Sequence, residues 1–121
     1  MTGFDGAADY CYITTAGRVT GRPHTVEIWF GLQGRMLYVL AGSGHRADFV
    51  RNAKKAPEVT VRIGSRRAPA LRATARVLTA GRDDLLARRL LLEKYAGADA
   101  DLDEWGRTAL AVAFDLGPAE G

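Results

Sequence analysis

The chain has 121 residues, of which 47% are hydrophobic and 26% charged, a balance typical of one globular domain, which we expect to span 1–121. No apolar run approaches the roughly 20 residues that a membrane-spanning helix needs, which argues against a transmembrane segment. The first ten residues hold two acidic and no basic residues, so we expect no secretory signal. The single cysteine, Cys11, cannot form an internal disulfide, and this predicts a cytoplasmic location.

The net charge of +3 is distributed unevenly, because basic residues concentrate in the middle of the chain. Residues 17–76 hold twelve lysines and arginines against three acidic residues, whereas residues 77–121 carry five basic and nine acidic ones. Fourteen of the seventeen basic residues are arginine, which binds phosphate and carboxylate in a bidentate manner. The basic middle indicates an anionic partner, although a general preference for arginine codons explains the composition equally well.

The first half of the chain predicts three strands and a short helix. Aromatic and β-branched residues predict strands at 10–15, 24–30 and 36–41, with a turn, GLQGR, before the third. Residues 47–56 predict the helix, because they place four apolar side chains at helical spacing and carry two lysines near their end. Pro57 then stops it.

The second half adds three strands and a longer helix. Alternating apolar residues predict strands at 58–63 and 68–78, and a mostly apolar run predicts a last strand at 109–116. Residues 83–97 predict a helix whose leucines spread around its circumference, which indicates contacts on more than one side. Six short strands and two helices predict a mainly β, α+β domain: a small antiparallel barrel with helices outside it.

Few side chains suggest catalysis. The two histidines, His24 and His45, lie far apart, and no metal-binding motif occurs, so we expect neither a metal site nor a catalytic residue. The GSG segment at 42–44 lacks the further residues of a nucleophile elbow. An enzyme with this sequence would therefore depend on a cofactor for its chemistry.

The stretch TTAGRVTGRP, Thr14–Pro23, is richer than a simple turn requires. It places threonines, two glycines and two arginines between two predicted strands, where two residues suffice for a hairpin. Glycines let the backbone approach an anion, and charge-assisted arginine–phosphate bonds are about twice as strong as neutral ones. The stretch is thus suited to wrapping a phosphate, and the simplest alternative is a solvated surface loop.

Residues 10–64 resemble the deazaflavin-dependent nitroreductase family of the flavin-binding split β-barrel superfamily, which includes the pyridoxamine-phosphate oxidases. The resemblance rests on TTAGRVTGRPHTVEIWF, a glycine-containing turn, MLYVLAGSG and DFVRNAKKAPEVTVRIG, in that order. It implies a six-stranded antiparallel split β-barrel with two or three flanking helices. It also implies coenzyme F420, a phosphorylated and oligoglutamylated 5-deazaflavin, as the cofactor. The implied reaction transfers hydride from reduced F420 to a small electron-poor acceptor of quinone, enone or nitro type.

The resemblance also implies site residues. Phe49 and Asn52 match a Trp and an Asn of the family's short helix at the cofactor, and Trp29 matches an aromatic residue that faces the substrate. Phe49 would line the substrate side as well. The residues implied along the phosphate and tail of the cofactor are Thr14, Thr15, Gly17, Arg18, Thr20, Gly21, Arg22 and Pro23. The residues implied near the deazaflavin ring are Ala41, Gly42 and Ser43.

The chain departs from the nitroreductase pattern at Val19, His24 and Phe49, where that subgroup has lysine, arginine and tryptophan. These differences leave the acceptor open. Two alternatives use the same barrel: an enzyme that binds flavin mononucleotide (FMN), and a carrier that binds a cofactor or haem without catalysis. Nucleic-acid binding ranks last, because the aromatic residues lie within apolar runs and not among the arginines. We also expect a homodimer, since proteins of this superfamily commonly pair.

Overall fold

The computed structural model describes residues 5–97 and 102–117, which form one antiparallel sheet and three α-helices. The strands are β1 (Cys11–Ala16), β2 (Pro23–Ile28), β3 (Gly31–Gln33), β4 (Met36–Ala41), β5 (Glu58–Ile63), β6 (Leu71–Leu78) and β7 (Leu110–Asp115). The helices are α1 (Asp48–Lys55), α2 (Arg82–Lys94) and α3 (Leu102–Thr108), with a 3₁₀ turn at Gly44–Arg46. The expected mainly β, α+β class with flanking helices is confirmed.

The predicted number of strands is wrong, because this part of the chain contains seven strands and not six. The additional strand, β3, lies in the stretch that was predicted as a turn, and it pairs with β4 from Gly31–Tyr38 to Gln33–Met36. Three residues are too few to show the alternation by which a strand is recognised in a sequence. The second strand also ends at Ile28, two residues earlier than predicted.

The order of the strands, β2-β1-β5-β6-β7-β4-β3, requires the sheet to curl. β2 and β3 lie at opposite ends of this order, yet only Trp29 and Phe30 separate them in the chain. Three Cα–Cα steps span at most about 11 Å. Six strand spacings in a flat sheet would cover about 29 Å. The two edges must therefore approach each other, which gives the expected split-barrel-like fold.

The sheet buries apolar residues on both faces, because the barrel interior lies on one side and α2 on the other. Alternation along β4 sends Leu37 and Val39 inward, while Tyr38 and Leu40 face α2. The interior also contains Cys11, Ile13, Val59, Val61, Val112 and Phe114. Tyr38 and Leu40 belong to a second apolar cluster, on the α2 side of the sheet. Its other buried members are Leu78, Ala87, Leu91, Tyr95, Ala109, Ala111 and Ala113.

Cys11 is fully buried in the barrel interior. Desolvation by burial raises the pKa of its thiol to about 12, although the charge of Lys94 acts in the opposite direction. The cytoplasmic location inferred from this cysteine stays a prediction, as does the single domain over 1–121. Within 5–97 and 102–117, no helix is both long and apolar enough to cross a bilayer.

The leucines of α2 contact both the barrel and α3. Helix α2 packs so closely on β3 that a Cβ added at Gly31 would lie 3.1 Å from the Cβ of Leu90. On another side, a Cβ at Gly106 of α3 would lie 2.8 Å from Leu92 Cδ1. The contacts that the sequence predicts on more than one side of α2 are thus made within one chain. Leu85 remains 68% exposed.

The hydroxyl of Tyr95, one residue beyond α2, holds the link between β2 and β3. It accepts a hydrogen bond from Phe30 N at 3.0 Å and donates to the Asp9 carbonyl at 2.8 Å, with Phe30 O a second acceptor at 3.1 Å. Lys94 Nζ donates to Phe30 O at 3.0 Å and lies 3.5 Å from the Phe30 ring centroid. Burial raises the pKa of Tyr95 to about 12, so its hydroxyl keeps its proton near neutral pH.

Removing this hydroxyl with Tyr95→Phe is expected to lower the free energy of unfolding by about 1–3 kcal/mol, because Phe30 N–H loses its buried acceptor. Urea unfolding should show a lower midpoint with an unchanged m-value. Tyr10→Phe is the control, since Tyr10 is 39% exposed and should unfold like the wild type. A Tyr95→Phe protein as stable as the wild type would show that the hydroxyl does not hold this link.

Candidate functional site

Two clefts lie at the two ends of β2 and contain six of the fourteen predicted site residues. The first, here called the aromatic cleft, has a volume of about 430 Å³ and is lined by Tyr10, Glu27, Ile28, Trp29, Leu40, Gly42, Leu102 and Trp105. The second, the cationic cleft, measures about 300 Å³ and is lined by Gly17, Arg18, Val19, Thr20, His24, Asp48 and Asn52. Three residue-to-residue steps along β2, about 10 Å, lead from His24 in the cationic cleft to Glu27 in the aromatic cleft.

Trp29 forms a wall of the aromatic cleft, and its plane is fixed by two other rings. Tyr95 stacks on it in parallel, with ring centroids 4.2 Å apart and an interplanar angle of 2°. Trp105 of α3 meets it edge-on, with centroids 5.7 Å apart and an angle of 88°. Fixed aromatic and aliphatic walls of this kind suit a planar ring and limit the access of water to it.

Gly42, directly after β4, lines the aromatic cleft opposite Trp105. A Cβ added there would meet only the Trp105 ring, at 4.0 Å, and would fill space between the two residues. The glycine is exposed, so a planar ligand can approach its backbone. The predicted ring-side residue Gly42 and the predicted substrate-side residue Trp29 therefore line one cleft.

The loop between β1 and β2 is a tight turn that contains two glycines. Gly17 N donates to Arg22 O at 2.7 Å, and Gly21 N donates to Gly17 O at 2.8 Å. Gly21 has φ +78°, in the left-handed region that other residues rarely adopt. A Cβ at Gly17 would lie 2.9 Å from His24 Nε2, so any side chain there would displace the imidazole.

Arg18 projects from this turn and is held against α1. Asn52 Oδ1 accepts from Arg18 N at 3.1 Å and from Arg18 NH1 at 2.9 Å, while Asn52 Nδ2 donates to Thr15 Oγ1 at 3.0 Å. Arg18 NH2 donates to Asp48 Oδ1 at 3.3 Å, and Lys55 Nζ donates to Arg18 O at 2.7 Å. The network anchors the turn to the helix and leaves the Arg18 side chain one-third exposed in the cationic cleft.

The buried members of this network position Arg18. Asn52 is 2% exposed and Thr15 is 1% exposed, and each already uses its polar side-chain atoms within the protein. Arginine has five N–H donors, and the side chain of Arg18 uses two in these contacts. Arg18 therefore keeps donors that an anionic ligand can reach in the cleft, whereas the side chains of Thr15 and Asn52 are buried.

The other predicted site residues lie outside the lining of both clefts. Thr14 pairs its hydroxyl with that of Thr25 at 2.7 Å. Phe49 is 7% exposed and packs in the barrel interior, whereas Trp29 packs against the cluster under α2, so the structure does not bring these two aromatic residues together. Their proposed roles at the cofactor stay predictions. The residues outside the two linings are Thr14, Thr15, Gly21, Arg22, Pro23, Ala41, Ser43 and Phe49.

Sequence analysis did not assign several residues that the structure places at the clefts. Trp105 and Leu102 come from α3, and Tyr95 supports Trp29 from the end of α2. One available signal was that Trp105 is the second of only two tryptophans, in an otherwise acidic segment. Asp48 was assigned only to a predicted helix, although it faces Arg18.

Comparison with known proteins identifies the class. Residues 3–114 match the model of the F420H(2)-dependent quinone reductase family, and the chain therefore belongs to that family. Comparison with curated proteins finds no significant match.

Solved structures show the same fold at low sequence identity. A structure described as an F420-H2 dependent reductase, FDR-A, has a TM-score of 0.69 at 22% identity, over 88% of this chain and 93% of its own. A conserved hypothetical protein from Mycobacterium tuberculosis has a TM-score of 0.71 at 13% identity, over 98% and 86%. A protein described as a domain-swapped dimer has a TM-score of 0.70 at 21% identity, over 88% and 80%.

Family membership makes the chain an F420-dependent oxidoreductase and confirms the predicted cofactor. The site fits that cofactor, because Arg18 in the cationic cleft keeps donors for a phosphate and the aromatic cleft suits a planar ring. When bound in reduced form, F420 supplies a hydride. The protein contributes binding, orientation and exclusion of water.

Replacing Arg18 with alanine is expected to weaken F420 binding by roughly ten- to a hundredfold, because a charge-assisted bond to phosphate contributes about 1.5–3 kcal/mol. Arg18→Lys should recover part of the affinity, since lysine cannot bind in a bidentate manner. Fluorescence titration measures both variants, and added salt should weaken wild-type binding. Arg72→Ala is the control, because Arg72 is exposed and lines neither cleft. Wild-type affinity in Arg18→Ala would contradict the assignment.

Proposed function

We propose that this protein transfers hydride from reduced F420 to a small, planar, electron-poor acceptor bound in the aromatic cleft. The acceptor is of quinone, enone or nitro type. The observation that carries the proposal is the aromatic cleft itself, because its volume of about 430 Å³ and its tryptophan walls match a small planar molecule. Its position beside Gly42 supports a deazaflavin ring in the same cleft.

In this proposal Arg18 holds the phosphate of the cofactor at one end of β2, and Trp29 orients the acceptor at the other. The rigid strand between them fixes the distance, so reacting groups meet in one geometry. Ile28, Leu40 and the two tryptophans exclude water from the reacting faces. No acidic side chain is needed, since solvent or a backbone N–H can supply the proton to the product.

The test measures the rate at which reduced F420 is oxidised by a water-soluble naphthoquinone, an enone or a nitroaromatic compound. The absorbance of F420 reports the rate. Trp29→Phe and Trp29→Ala should lower kcat/KM for the preferred acceptor by roughly three- to tenfold, because an aromatic contact contributes about 0.5–1.5 kcal/mol. The affinity for F420 should change less. The phenylalanine variant keeps a ring against Tyr95, so it separates loss of function from loss of folding.

Phe49→Leu is the matched control, because Phe49 lies in the barrel interior. It should lower stability and leave the choice of acceptor unchanged. If it alters that choice as Trp29→Phe does, then Phe49 lines the substrate side after all. Tight F420 binding with no turnover of any acceptor would favour the carrier, and preferential binding of FMN would contradict the proposal.

We also propose that the protein forms a homodimer through the face of α2 around Leu85. This residue borders a cleft of about 690 Å³ that also contains Leu86, Arg82 and Arg89. The remaining α2 leucines pack within the chain, so Leu85 alone supports this proposal from the helix. The solved structure described as a domain-swapped dimer adds support at the level of the fold.

Sedimentation velocity at micromolar concentration is expected to give a dimer, and Leu85→Lys is expected to give a folded monomer. The physical reason is that a lysine buried at the interface beside Arg82 and Arg89 meets like charges and loses its hydration. Val19→Lys serves as the control, because Val19 is 89% exposed and lines the cationic cleft, away from the face of α2 around Leu85. A monomeric wild type would reject the proposal.

A further inference from the structure

The two side chains that hold the Arg18 guanidinium differ in how firmly they are fixed. Asn52 is 2% exposed and is itself tied to Thr15. Asp48 has a side chain that is 77% exposed, and its Oδ1 lies 3.3 Å from Arg18 NH2. That distance exceeds the roughly 2.7–2.9 Å of a strong charge-assisted bond. Asn52 is therefore a permanent partner of Arg18, and Asp48 is a replaceable one.

Asp48 also occupies the space where an anionic ligand would bind. Its carboxylate and the Arg18 guanidinium line the same cationic cleft. An anion that forms a bidentate bond with Arg18 needs the NH2 group that Asp48 now uses, and it meets a like charge as it approaches. Exposed ion pairs contribute little to stability, so Asp48 can leave Arg18 without unfolding the site.

We propose that Asp48 is an internal competitor of the cofactor's phosphate for Arg18, and that it lowers the affinity of the cationic cleft for anions. On binding, the phosphate replaces the Asp48 carboxylate on NH2, while Asn52 continues to hold NH1. This inference rests on the proposed function, since it assumes that Arg18 receives the phosphate. Asp48 thereby determines how strongly charged a ligand must be in order to stay bound.

A role for Asp48 in orienting the guanidinium would predict the opposite change in affinity. If Asp48 served to orient the guanidinium for the ligand, its removal would weaken binding. If the pair were irrelevant to the ligand, its removal would change nothing. The sign of the change in ligand affinity when Asp48 loses its charge therefore separates the three cases.

The experiment is fluorescence titration of F420 into the wild type and Asp48→Asn. The asparagine keeps the shape of the side chain and removes its charge, and we expect binding to become about two- to fivefold tighter. Asp83→Asn is the matched control, because Asp83 lies in the first turn of α2 and pairs with Arg76 at 3.0 Å, away from the cleft. It removes the same charge from the first turn of another helix and should leave the affinity unchanged.

A double-mutant cycle tests whether the effect passes through Arg18. In the Arg18→Ala background, Asp48→Asn should no longer tighten binding. A gain that persists there, an equal gain in Asp83→Asn, or weaker or unchanged binding in Asp48→Asn would each overturn the proposal.

Inorganic pyrophosphate supplies a readout that does not need F420. Thermal unfolding of Asp48→Asn should be shifted upward by pyrophosphate at about two- to fivefold lower concentrations than the wild type. If F420 binds no variant but pyrophosphate behaves in this way, the proposed function fails and the competition at Arg18 stands. If F420 binds and Asp48→Asn brings no gain with either ligand, the competition alone is wrong.

Discussion

The two-residue link between β2 and β3 is the constraint on which the rest of the structure depends. It joins strands that lie at opposite ends of the sheet order, so the sheet has to curl into a barrel. Neighbouring residues in extended chain point in opposite directions. Phe30 accordingly enters the barrel interior, fully buried, while Trp29 turns outward to the aromatic cleft. The Tyr95 hydroxyl binds both backbone groups of Phe30, so the same bonds that close the barrel fix the aromatic wall.

The cationic cleft depends on a second connection, between the β1–β2 turn and α1. Asn52 is buried and accepts two hydrogen bonds from Arg18 while it donates to Thr15. The turn thus moves with the helix, and the helix packs Phe49 and Val50 into the barrel interior. Both clefts are consequently built on rigid elements, which hold functional groups more accurately than free loops do.

Local features of the chain were predictable, and long-range features were not. The turn at Gly17–Gly21 and the helix before Pro57 follow from residues close together in sequence. Strand β3 was missed because three residues carry no periodicity. The support of Trp29 by Tyr95 was missed because 66 positions separate them, and only the closed barrel makes them neighbours. Resemblance assigned Phe49 and Thr15 to the cofactor, but the face on which each lies in its helix or strand directs both side chains inward.

The buried cysteine has a consequence for an enzyme with this chemistry. Quinones and enones are electrophiles that alkylate thiolates, so an accessible thiolate near the cleft would be a target for the proposed acceptors. Burial raises the pKa of the Cys11 thiol to about 12, so the thiol keeps its proton near neutral pH, and the residue is fully buried. Cys11 is the only cysteine of the chain. The barrel therefore shelters the only thiol of the chain from electrophiles of the classes proposed as acceptors.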